Sequence, residues 1–260
     1  MPVTPPLFTI LDSVGSTNNY AMAKVHAGLA KHGNAYYCAN QTEGKGQRGK
    51  NWHTGNGQNI ALSIVTQPSP LLIRDQFKLS AAVALACYEF FSAYAGTGTT
   101  IKWPNDIFWN DRKAGGILIE NVIGSNFNGS NGNLQQDAGS VWKFAVVGIG
   151  ININQILFDT ALKNIVSLKQ ITGMEYDVVL LAKELHFKVL SKIENLSMNS
   201  FEAILEQYNR QLYKRECKVK LKKGNIVFET TVKSVTDTGE LYTADAVEHY
   251  FNFGDVQWIL

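Results

Sequence analysis

The segment Gly44-Lys45-Gly46-Gln47-Arg48-Gly49, followed by Lys50, brings glycines and cations together. Glycines let the backbone approach a ligand closely, and successive N–H groups can form an anion-binding nest. Lys45, Arg48 and Lys50 add positive charge. A unit charge pair at about 4 Å is worth about 4 kcal/mol at an effective dielectric near 20, enough to hold a phosphate against water. The string also fits the dinucleotide pattern G-x-G-x-x-G and, with Lys50, nearly fits the P-loop. Both patterns need a helix that opens directly after the glycines. Here Lys50-Asn51-Trp52-His53-Thr54-Gly55 follows, a poor helix start, and Asn51 stands where a P-loop has Ser or Thr. The chemistry points to an anion without either of those folds. On its own, the segment is equally a solvated basic loop.

Other strings carry chemistry of their own. Lys102-Trp103-Pro104-Asn105-Asp106 places a turn between apolar runs, with a ring that can stack and polar groups that can fix a ligand or metal. Arg112-Lys113-Ala114-Gly115-Gly116-Ile117-Leu118 leads a basic pair into glycines at a strand start, where bare backbone can meet a ligand. Gly148-Ile149-Gly150-Ile151-Asn152 sets Asn152 at the end of an apolar strand. Each string taken singly is also ordinary turn or strand-end chemistry.

The elements that must position these residues follow from pattern. Phe8–Leu11, Ala35–Ala39 and Asn59–Thr66 read as strands, and Ser16 or Thr17 can cap a helix running to Ala30. Residues 40–58 read as a long loop. Gln76–Phe91 reads as a buried helix. Thr99–Trp103, Asp106–Asn110, Gly115–Val122 and Val141–Gly148 read as strands. The polar stretch Gly124–Asn133 reads as a mobile hairpin insertion. Leu181, Leu185, Val189 and Ile193 mark one helix face, and Phe201, Ile204, Leu205, Tyr208 and Leu212 another. After Arg215 short strands recur between Lys223-Gly224-Asn225 and Asp237-Thr238-Gly239, predicting a small β-barrel. The expected division is 1–212 and 213–260.

Composition limits the alternatives. The chain has 260 residues, 45% hydrophobic and 18% charged, which fits a folded protein. A formal net charge of +2 gives no case for nucleic acid or an anionic membrane. Cys38, Cys87 and Cys217 form no pair motif and read as buried free thiols. The five histidines show no metal-ligand spacing, so no structural metal site is expected. With neither a signal peptide nor a membrane span in the pattern, a cytoplasmic protein is expected.

Taken together and in this order, the motifs resemble the biotin–protein ligases. The resemblance runs from Gly15-Ser16-Thr17-Asn18 through Gln41 and the glycine segment to Trp52, then Lys102–Asp106, Arg112–Leu118 and Gly148–Asn152. It implies an α+β fold: a central mixed β-sheet with helices on one side, related to the class II aminoacyl-tRNA synthetases, plus a C-terminal SH3-like barrel. It implies a reaction in two steps. Biotin and Mg2+-bound ATP give biotinyl-5′-AMP, which then acylates a lysine of a biotin carboxyl carrier domain of a carboxylase. Lipoate–protein ligase or octanoyltransferase is the alternative on the same fold.

The resemblance also assigns roles. Lys113 and Arg48 are the catalytic pair. Ser16, Thr17, Asn18, Gln41, Gly44, Lys45, Gly46, Gln47, Gly115, Gly116 and Leu118 are expected at the biotin end. Lys45, Arg48, Lys50, Trp52, Lys102, Trp103, Asn105 and Asn152 are expected around the nucleotide. Asp106 is expected to meet the carrier lysine or Mg2+. A homodimer through a sheet edge is compatible with the family. Only Met1–Leu7 precede the first strand, so no DNA-binding domain is expected. One departure stands out: many relatives carry arginines at three loop positions occupied here by Lys45, Gln47 and Arg48. Lysine keeps charge but loses the bidentate fork, and Gln47 loses charge outright.

Overall fold

The structure, a computed structural model, describes residues 7–52, 54–125, 140–160, 162, 164–196 and 201–259. Strands β1 (Phe8–Val14), β2 (Ala35–Gln41), β3 (Asn59–Thr66), β4 (Thr99–Lys102), β5 (Asp106–Trp109), β6 (Arg112–Ser125) and β7 (Ser140–Asn152) build a seven-stranded sheet. Its order is β1-β2-β3-β7-β6-β5-β4. β1 and β2 run parallel and all other neighbours antiparallel, so the sheet is mixed, as expected. β6 and β7 pair as far as Ser125 against Ser140. Most of the expected insertion, residues 126–133, lies outside the described residues.

Side chains alternate across a strand, and here the alternation divides work between the two faces. Ile60, Leu62 and Ile64 on β3, with Val147, Ile149 and Ile151 on β7, join the core beneath α2 (Gln76–Ala95) and α4 (Val178–Leu196). Val65 and Val146 point the other way and pack with Ala21 and Val25 of α1 (Thr17–His26). Helices therefore cover both faces, which corrects the expected one-sided arrangement. Ser16 caps α1, its hydroxyl accepting from Asn19 N at 3.5 Å. The helix stops at His26 rather than Ala30 because Gly28 takes a left-handed φ of 68° that ends the α conformation. A short helix not anticipated from pattern, α3 (Leu168–Thr172), opens on a capping box between Ser167 and Gln170.

After α5 (Phe201–Arg210), strands β8 (Lys218–Lys223), β9 (Ile226–Val235), β10 (Leu241–Ala244), β11 (Glu248–Phe251) and β12 (Gln257–Ile259) form a five-stranded sheet in the order β11-β10-β9-β8-β12. The outer strands β11 and β12 do not pair, so the expected closed barrel is an open sheet. The chain between them, including Phe253, Gly254 and Val256, lies against the large cleft described below. Leu221, Val232, Val235, Leu241 and Phe251 belong to the same buried cluster as α2 and α5. Asn209 of α5 receives Val235 N at 2.7 Å and donates to Val235 O at 2.9 Å, an amide clamp between the two parts.

Cys38 and Cys87 are buried and free, whereas Cys217 is exposed in the turn before β8, against expectation. Among the described residues no helix is long and apolar enough to cross a membrane.

Candidate functional site

The sheet face that carries α1 also carries a run of small residues. Ala61 on β3 pairs with Gly150 on β7, Gly116 on β6 pairs with Gly150, and Leu118 pairs with Gly148. The missing side chains leave a hollow, walled by the N-terminus of α1, the glycine segment, the chain after β7 and the end of the C-terminal sheet. The result is a cleft of about 810 Å³, within the usual size range of small-molecule sites.

One end of the cleft is neutral and dense in hydrogen bonds. Gln41 Oε1 accepts from Thr17 N at 2.8 Å and Thr17 Oγ1 at 3.0 Å. Ser63 Oγ lies 2.8 Å from Thr17 Oγ1 and 2.5 Å from Asn18 Oδ1. Asn18 Nδ2 donates to Glu120 at 2.8 Å and to Leu118 O at 3.3 Å. The network fixes the rotamers of buried Thr17 and Asn18. Asn18 lies so close to Gly148 that a methyl on that glycine would overlap its amide. Such an end suits a ligand that offers both donors and acceptors and no charge.

The other end is cationic, and a β-bulge arranges it. Asp106 pairs with Gly116 and Ile107 with Gly115, yet Phe108 pairs with Lys113, so β6 gains one residue at this step. Without the bulge, Lys113 would project from the opposite face of the sheet. With it, Lys113 shares the cleft face with Asp106 and Phe108. Lys113 Nζ lies 2.6 Å from Asp106 Oδ1 and 5.8 Å from the Trp52 ring centre. Lys102, paired with Asp106 across the β4–β5 turn, falls on the same face. Its ammonium sits between the rings of Phe108 at 5.1 Å and Trp258 at 5.2 Å. Burial there pushes the Lys102 pKa down to about 8; Asp106 opposes this, and the charges of Lys113 and Lys50 reinforce it.

The glycine segment is an internally bonded hairpin over the cleft. Lys45 bridges Asn51, Gly46 N donates to Lys50 O at 2.7 Å, and Trp52 N donates to Gly44 O at 2.8 Å. Gln47–Gly49 form a 3-10 turn in which Arg48 takes a left-handed φ of 57°. Gln47 Nε2 reaches across the cleft to Ile117 O at 3.2 Å. The Trp52 indole lies against Gly150, where any side chain would displace it.

Of the residues singled out in the sequence, the structure brings Ser16, Thr17, Asn18, Gln41, Lys45, Gly46, Gln47, Arg48, Lys50, Trp52, Lys102, Trp103, Asn105, Asp106, Lys113, Gly116, Leu118 and Asn152 to the cleft wall. It does not bring Gly44, which faces a small adjoining hollow with Thr42 and Thr54. Nor does it bring Gly115, which packs against Gly150 O and Ile151. Some of the wall residues are engaged in holding the fold. Trp103 donates its indole N–H to Gly239 O of the C-terminal sheet at 2.9 Å. Asn105 Nδ2 donates to Ile117 O at 2.6 Å, and buried Asn152 Nδ2 donates to Val166 O at 3.2 Å.

Sequence reasoning missed a second set of wall residues. Phe158, Leu162 and Asn164 follow β7, and Phe253, Gln257 and Trp258 end the C-terminal sheet. The first group is tied in by Lys113 N donating to Asn164 O at 2.6 Å. No local pattern marks either group; only their long-range contacts do. Among the described residues no group of three or more His, Cys, Asp or Glu is placed to hold a metal ion.

Residues 10–134 match the family described as Biotin/lipoate A/B protein ligase family. The chain is 36% identical over 152 residues to a bifunctional ligase/repressor BirA of Bacillus spizizenii, covering 57% of this chain and 42% of that protein. It is 34% identical over 147 residues to a biotin--[acetyl-CoA-carboxylase] ligase of Paracoccus denitrificans, covering 55% of this chain and 53% of that protein. The chain thus spans about half the length of these relatives. The biotin protein ligase of Aquifex aeolicus, solved in complex with biotin and ATP, superposes with a TM-score of 0.77 at 19% identity, covering 97% of this chain and 98% of that one. At that identity the likeness establishes the shared fold.

Proposed function

We propose that this chain, whose residues 10–134 match the Biotin/lipoate A/B protein ligase family, joins biotin to a lysine of a biotin carboxyl carrier domain at the expense of ATP. The observation that carries this reading is the polarity of the large cleft. Its neutral hydrogen-bonding end around Thr17, Asn18 and Gln41 lies in one cavity with the cations Lys102, Lys113, Lys45 and Arg48.

The neutral end suits the ureido ring, whose two N–H groups and carbonyl match the amide and hydroxyl groups present. The biotin carboxylate then points toward Lys113. One carboxylate oxygen attacks the α-phosphorus of ATP, the bond to the β-phosphate oxygen breaks, and pyrophosphate leaves. Lys113 lies where it can stabilise charge on the carboxylate and the α-phosphate oxygens. Lys45, Arg48 and Lys50 close over the phosphates. In the second step the neutral amine of the carrier lysine attacks the acyl carbon of biotinyl-5′-AMP. An amide forms, AMP leaves, and the amine's proton is lost. Asp106, at the cleft wall beside Lys113, is the group that meets either the incoming lysine or Mg2+.

Mg2+ would enter this cleft as a counter-ion brought by the nucleotide rather than in a protein-built site among the described residues. Mg2+ usually takes one or two carboxylates together with phosphate oxygens, and Asp106 supplies such a carboxylate among the described wall residues. The cation would offset phosphate charge there.

The rival reading, transfer of a lipoyl or octanoyl group, is compatible with the same domain. The hydrogen-bonded end favours biotin, since an alkyl or dithiolane tail would leave those polar groups unmatched. The deciding experiment supplies labelled biotin, lipoate and octanoate in parallel, each with ATP and a carrier domain. Pyrophosphate release and covalent label with biotin alone support the proposal. Label from lipoate or octanoate instead would overturn it, as would absence of both signals.

A further inference from the structure

One contact that the cleft chemistry does not use joins the glycine segment to the end of the C-terminal sheet. The Arg48 guanidinium lies 5.0 Å from the centre of the Phe253 ring. It also fills the space above Gly254, where a methyl group would overlap Nη2 and the guanidinium carbon. Gly254 holds a φ of 97°, a conformation that side-chain-bearing residues rarely adopt. Arg48 is itself left-handed, which is uncommon for a residue with a side chain. A left-handed arginine, a glycine whose backbone a side chain would rarely allow, and one stacked ring thus converge on a single cation. A short distance along the same wall, Trp258 holds Lys102 in the same manner.

We propose that Phe253 and Gly254 are a latch that seats Arg48, so that the open C-terminal sheet positions the phosphate-facing cations of a cleft otherwise built by the first sheet. Phe253 is a positioning residue: it acts on the ligand through Arg48. The quadrupole of a ring face attracts a cation without neutralising it. An acidic partner would compete with a phosphate for Arg48, whereas an aromatic partner leaves the full charge available. The Gln47 bond to Ile117 O anchors the same turn from the opposite side. The hairpin is thus held at two points, one on each sheet.

The functional readout rests on the ligase reading, so a second readout is independent of it. The variants are Phe253→Leu, which keeps apolar volume but removes the ring, and Phe253→Tyr, which keeps the ring. In the unliganded protein, trypsin cleavage after Arg48 is followed in time. Phe253→Leu should be cut faster by about two- to five-fold, the factor equivalent to an exposed cation–π contact, and Phe253→Tyr should match the parent. In parallel, release of biotinyl-5′-AMP after a chase should accelerate by the same factor in Phe253→Leu, while the biotin dissociation constant stays at its parent value. Gly254→Ala, which evicts the guanidinium, should reproduce the Leu phenotype in both assays. Equal cleavage of parent and Phe253→Leu would overturn the latch, whether or not the chain makes an adenylate. Failure of the parent to form adenylate, with cleavage behaving as expected, would remove the ligase reading and leave the latch standing.

Discussion

Lys113 and Asp106 meet at 2.6 Å because β6 carries one more residue than β5 across their shared ladder. The pair is partly exposed, with side-chain accessibilities of 33% and 19%, so it is worth little as a stability device. Its importance is positional. The bulge turns a lysine that would face away from the cleft into one that faces it, and the carboxylate holds the ammonium at the junction of the neutral and cationic ends.

If Lys113 stabilises the charge that develops between carboxylate and phosphate, Lys113→Ala should slow adenylation about 10²–10³-fold, the usual cost of losing one such contact. Biotin-dependent pyrophosphate release measures it. Turnover near the parent's would reject the role. Thermal stability should change little, because the partner carboxylate remains open to water.

Gln47 holds the hairpin by a neutral bond and adds no charge. Biotinyl-5′-AMP should therefore leave more slowly from Gln47→Arg than from the parent, and faster from Gln47→Ala. Off-rates from chase experiments test the order. Equal rates for the Arg variant and the parent would show that this position does not govern retention.

A pH dependence follows from Lys102. Its pKa in the free protein is lowered to about 8, and a phosphate facing the ammonium would raise it again. Anion binding then takes up a proton, so affinity is full below pH 8 and falls as pH rises through that value. Lys102→Arg keeps its charge throughout and serves as the reference for the ligand's own titration. Calorimetry with inorganic pyrophosphate between about pH 7 and 9.5 should show the parent losing affinity relative to Lys102→Arg. Parallel curves would mean that Lys102 is not in contact with the anion.

Gly148 and Asn18 share a space that admits no methyl group. Asn18 cannot retreat freely, since Glu120, Leu118 O and Ser63 hold it. Gly148→Ala should cost roughly 1–3 kcal/mol through overpacking and weaken biotin binding by about two- to twelvefold if half of that cost falls on the bound state alone. Melting and biotin calorimetry give the two figures. An unchanged biotin affinity would place Asn18 outside the binding contacts.

Much of this protein was legible along the chain. The alternation in Gly148-Ile149-Gly150-Ile151-Asn152 states that one face of β7 is hollow and the other is core, because strand geometry sends neighbours to opposite sides. Ser16 declares a helix start by its own hydroxyl. The glycines and cations from Gly44 to Lys50 show chemistry suited to an anion. In each case the informative geometry spans only a few residues. What only the tertiary structure decided depends on register and on contacts between distant segments. Lys113 reaches the cleft through a bulge that no residue type at Ala114 announces. The seats of Arg48 on Phe253 and of Lys102 on Trp258 come from strands far along the chain. The terminal sheet stays open, and α1 takes the face opposite α2, where Ala21 and Val25 pack with Val65 and Val146 in a second cluster. Sequence pattern thus determined which residues have chemistry to offer, and long-range packing determined which of them share a cleft and in which direction they point.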